Sequence, residues 1–133
     1  MYKVSLEDTK HAIIAVKWES NLTPEGVHQA NDEINKILRS HQFSRFHLIV
    51  NMKDVIVFKP ETQKEVVAHQ EWLIQKGMDQ AAVVVQSNVA KLQLRRTAKE
   101  SSHKSETHFT EIDEALTFLK QKNYSKNQNE AGT

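Results

Sequence analysis

The chain of 133 residues contains no cysteine, which removes disulfides, thiol catalysis and cysteine-based zinc sites from consideration. Three glycines and two prolines are all it has of either, too few glycines for a phosphate loop of the Walker or Rossmann type. No apolar run approaches the roughly 20 residues that span a bilayer. The first ten residues alternate polar and apolar and carry Glu7 and Asp8, so a signal peptide is not expected. Neither charge dominates: 18 basic residues face 17 acidic ones, for a net charge of +1, and no global field points to nucleic acid or membrane. These absences predict a cytoplasmic domain without a transmembrane segment, a nucleic-acid partner or a bound cofactor.

What is present reads as one α/β domain over residues 1–120, followed by a disordered polar tail over 121–133 whose Lys, Asn, Gln and Ser bring too little apolar surface to order it. Tyr2, Val4 and Leu6 alternate with polar residues, as a strand with one wet face does. A turn at Asp8-Thr9-Lys10 and a second β-rich run to Trp18 predict a hairpin. Thr23-Pro24 opens a helix, Thr23 as N-cap and Pro24 at the first helical position, with Leu22 and Val27 placed as a hydrophobic staple. Leu48-Ile49-Val50 is continuously apolar and predicts a strand covered on both faces. Pro60 starts a second helix that Gly77 ends, and Ala81–Val85 is another buried strand. Ser87 or Asn88 caps a third helix, Glu106–Phe109 is an edge strand, and Thr110 with Asp113 caps a last helix. The predicted order is ββαβαβαβα, with a mixed, mostly parallel sheet of about five strands and four helices.

That order, the segment Leu48-Ile49-Val50-Asn51-Met52-Lys53-Asp54-Val55-Ile56-Val57-Phe58, and the ending Phe109-Thr110-Glu111-Ile112-Asp113-Glu114-Ala115-Leu116-Thr117-Phe118-Leu119 resemble the STAS domain family of anti-sigma-factor antagonists and sulfate-transporter tails. Among its members the chain looks most like the stand-alone bacterial ones. The resemblance implies a signalling module that works by protein binding. In the family a strand ends in aspartate, and an Asp-Ser-Ser/Thr-Gly turn then presents a phosphorylatable serine at a helix start. Here Asn51 falls at the aspartate and Lys59-Pro60-Glu61-Thr62 at the turn, so the serine and glycine are both missing. Thr62 is the one candidate phosphosite, with Glu61 beside it opposing an added phosphate.

Because α/β folds present ligands and partners at the carboxyl ends of their strands, the candidate partner-binding surface comprises Asn51, Met52, Lys53, Asp54, Lys59, Glu61 and Thr62. His69 and Trp72, three apart on the second helix, extend it. A second candidate, for an anion, nucleotide or lipid, is the third helix start with Ser87, Asn88, Lys91 and Arg95. Seven histidines invite a metal, but His103/His108 and His41/His47 lack the i, i+4 spacing of a helical ligand pair, so none is expected. No nucleophile and base pair stands out, and an enzyme is not expected. The leading expectation is a non-catalytic docking module, the alternative a small-ligand module; self-association through a sheet edge fits either.

Overall fold

The computed structural model describes the backbone of residues 2–131 and the side chains of residues 2–121. Strands β1 (Tyr2–Asp8) and β2 (Ile13–Trp18) lead into helix α1 (Pro24–His41), and β3 (Phe46–Asn51) into α2 (Pro60–Gln75). Strand β4 (Met78–Val84), helix α3 (Asn88–Glu100), strand β5 (Glu106–Phe109) and helix α4 (Ile112–Ala131) complete the order ββαβαβαβα. Of the polar tail expected over 121–133, all but Gln121 lies outside the described side chains, and the α4 backbone runs through it to Ala131.

The five strands lie side by side in sequence order, β1-β2-β3-β4-β5. The hairpin β1–β2 is antiparallel and every later pair is parallel. Each parallel crossover steps the same way across the sheet, and right-handed connection then puts α1, α2 and α3 on one face. Side-chain alternation divides the core accordingly. Ile14, Val16, Leu48, Val50, Ala81 and Val83 pack under α1–α3, while Ile13, Ile49, Ala82 and Val84 meet Ala115 and Leu119 of α4 on the other face. This is why Leu48-Ile49-Val50 shows no alternation: both faces are covered.

Local signals set the element ends. Thr23 Oγ1 accepts from the Gly26 N–H at 3.1 Å, and Leu22 and Val27 are both in the core beside that cap. Gly77 has φ 105°, and a Cβ there would sit 2.1 Å from the Ser44 carbonyl oxygen, so the α2–β4 turn requires glycine twice over. Two expectations shift. Helix α4 opens at Ile112 rather than directly after Thr110, so Glu111 precedes it. The inward face of α3 is Ala90, Leu94 and Thr97, where the spacing Ala90, Leu94, Ala98 predicts Ala98.

Candidate functional site

The carboxyl edge of the sheet is built by two returning loops. After β3, Asn51 Oδ1 accepts from the Lys53 N–H at 3.1 Å, bending the chain off the sheet. Lys53 reaches Glu111 at 3.6 Å and Asp54 reaches Lys17 at 3.5 Å, tying the turn to the α4 entrance and to β2. Val55 to Lys59 then continue to the α2 start without pairing as a strand. Val55 and Phe58 point inward at 1% and 4% exposure, whereas Ile56 and Val57 stand out at 68% and 55%.

The second loop, between β4 and α3, holds that segment in place. Ser87 Oγ donates to the Ile56 carbonyl at 2.6 Å and accepts from the Ala90 N–H at 3.1 Å. Gln93 brackets Phe58: its Oε1 accepts from the Phe58 N–H at 2.8 Å and its Nε2 donates to the Phe58 carbonyl at 3.0 Å. Val89 and Leu92, one turn apart on α3, are 52% and 60% exposed beside these contacts. Four large apolar side chains are therefore exposed on the β3–α2 loop and the first turns of α3, with Lys53, Asp54, Lys59 and Glu61 on the same loop and the α2 start.

The structure gathers Asn51, Lys53, Asp54, Lys59 and Glu61 here and places the other expected residues elsewhere. Met52 is 1% exposed and belongs to the core. Thr62 is also 1% exposed, and its hydroxyl donates to the Leu22 carbonyl at 3.4 Å, clamping α2 to the α1 entrance. The surface expected at Lys59–Thr62 thus ends at Glu61, and a kinase has no access to Thr62 in this conformation. Ser87 is committed to its cap, Asn88 is exposed, and Arg95 lies further along α3 beside β5.

His69 and Trp72 face a different place, the groove of about 370 Å³ between α1 and α2. His69 is buried, hydrogen-bonds Asn31 through Nδ1 and packs edge-on against Trp18 at 5.6 Å. Burial, with His103 nearby, lowers its pKa to about 4. Trp72 stays half-buried under the Lys76 ammonium, 5.9 Å from its ring.

Sequence reasoning passed over a polar seam between α2, α3 and β5. Ser101 Oγ donates to Gln70 Oε1 at 2.8 Å, and Gln70 Nε2 donates to Glu106 Oε1 at 3.2 Å. The other Glu106 oxygen is 2.8 Å from His108 Nε2, and burial lowers the pKa of neighbouring His103. The available signal was the α2 spacing Val66, His69, Gln70, Leu73, which puts two polar residues on the inward face. The seam borders an interior cavity of about 30 Å³ also lined by Trp18, Phe58 and Leu94.

Among the described residues, no group of three or more His, Asp or Glu is arranged to hold a metal ion. No helix among them is long and apolar enough to cross a membrane. No protein-family model matches the sequence, and comparison with curated proteins gives no significant match.

Proposed function

We propose that this chain is a STAS-like, non-catalytic signalling module of the cytoplasm that docks a protein partner through the carboxyl edge of its sheet. The observation that carries this reading is the group Ile56, Val57, Val89 and Leu92, each more than half exposed and held by the Ser87 and Gln93 hydrogen bonds. Scattered apolar surface residues are ordinary, but adjoining ones on a braced edge mark interaction surfaces. Charged Lys53, Asp54, Lys59 and Glu61 on the same loop and the α2 start match the polar rim of a protein interface. The fold order supports a STAS-like assignment, and the buried Thr62 makes the docking independent of phosphorylation there. The lipid form of the small-ligand alternative has less behind it: at about 30 Å³ the cavity beside Trp18 and Phe58 has room for one or two waters, not for an acyl chain.

The test compares tagged wild type with Ile56→Asp and Leu92→Asp in affinity capture from lysate, followed by titration of the captured protein. Both positions are exposed, so both variants keep the wild-type melting temperature within a few degrees. Losing a central apolar anchor typically costs about 2 kcal/mol or more, so binding weakens at least about tenfold. A partner held equally by wild type and both variants refutes the proposal, as does a wild-type protein that carries a small molecule and captures no partner.

A further inference from the structure

A second surface, on the far side of α3, has different chemistry. Strand β5 is at the edge of the sheet, so among the described residues no strand pairs with its outer side. The Ser105 and Phe109 carbonyls accept from Ala81 and Val85 of the β4 side, each at 3.0 Å. By the two-residue alternation of a strand, the N–H and C=O groups of Glu106 and His108 point to the outer side.

Alongside runs an open groove of about 480 Å³ between β5 and α3. Ala98 leaves it deep, and Arg95 and Lys99, one turn apart and exposed, form its outer wall. Neither cation is in an ion pair among the described residues. The one carboxylate in the groove, Glu106, makes no ion pair with them: its side chain is 6% exposed and bonded instead to Gln70 and His108. Among the described residues, a backbone edge with unpaired donors and acceptors thus shares a groove with two exposed cations.

We propose that this groove takes an extended acidic peptide segment, which adds to β5 as a sixth strand while its carboxylates meet Arg95 and Lys99. Main-chain hydrogen bonds supply affinity and alternate side chains supply the selection. Every second residue of an added strand faces α3, so acidic residues two apart fit the cationic wall. Nucleic acid suits the groove less well, because the rings that line it, His103 and His108, are only 3% and 15% exposed and leave little face for a base to stack on. Four residues of edge are enough for a short segment and too few to template open-ended pairing. This surface does not depend on the Ile56–Leu92 edge, and neither stands or falls with the other.

The experiment titrates the isotope-labelled protein with a five-residue peptide alternating glutamate and valine, following backbone amide shifts. Shifts at Glu106 and His108, with affinity falling at least tenfold in Arg95→Glu/Lys99→Glu, support the proposal. The reversed variant should then favour the matching lysine–valine peptide. Absence of shifts at those amides up to millimolar peptide overturns it. So does unchanged affinity in the double variant, or an identical shift pattern with inorganic triphosphate, which would mark a general anion patch.

Discussion

A neutral imidazole stands at the base of the α1–α2 groove, and its surroundings make it a pH-dependent element of stability. Burial disfavours the charged form of His69, taking its pKa from 6.5 to about 4. The unfolded chain therefore binds a proton first as the pH falls. The contribution is complete above about pH 6.5 and is lost progressively towards pH 4; a shift of this size corresponds to about 3 kcal/mol. The lowered pKa of His103 acts in the same direction. His69→Gln keeps a donor for Asn31 and removes the titration, so its urea-unfolding stability should decline less steeply than wild type between pH 7 and 4. Parallel profiles would refute this account. At Gly77, replacement by alanine should cost at least about 2 kcal/mol in the same assay, since it adds positive-φ strain to a backbone clash. The glycine was legible as a helix terminator, but the reason it tolerates no other residue, the approach of Ser44, is a contact between segments distant in sequence. His69 and Thr62 were legible by position on α2 and not by burial, because the covering groups, Trp18 and Leu22, come from the β2–α1 segment.

At the scale of elements, Gln93 acts as a short substitute strand. By bonding both the N–H and the C=O of Phe58, it anchors a segment that has no β-partner. Gln93→Ala should lower global stability by about 1–2 kcal/mol and speed hydrogen exchange at the Phe58 amide roughly tenfold, read by exchange-detected NMR. Unaltered exchange there would show that Ser87 alone suffices. Capping and proline chemistry revealed where α1 and α2 begin, since those signals are local. The run Val55-Ile56-Val57-Phe58 was recognisable as apolar, yet its division into two inward and two outward side chains was not. That division depends on α3, which lies some 30 residues later and supplies the side chains that hold it.

For the whole molecule, monotonic strand order leaves one helix responsible for an entire face. Ala115 and Leu119 are fully buried against Ile13, Ile49, Ala82 and Val84, and Lys120 reaches across to Asp8 at 3.8 Å. Leu119→Ala should therefore cost about 2–5 kcal/mol, measured as a lowered urea midpoint, whereas Thr117→Ala on the exposed side should change little. Element order and sheet type were readable from patterning because consecutive strands are neighbours in space. The covering of the second face was not, since nothing in an amphipathic helix states which sheet face it meets.

The same arrangement bears on how the protein is made. Each strand emerges from the ribosome after the neighbour it pairs with, so the sheet can assemble in the order of translation. Its second apolar face, however, waits for α4, which follows all five strands in the chain. During that interval a nascent chain presents Ile13, Ile49 and Val84 to the cell, and the docking of α4 serves as the step that ends its exposure to aggregation.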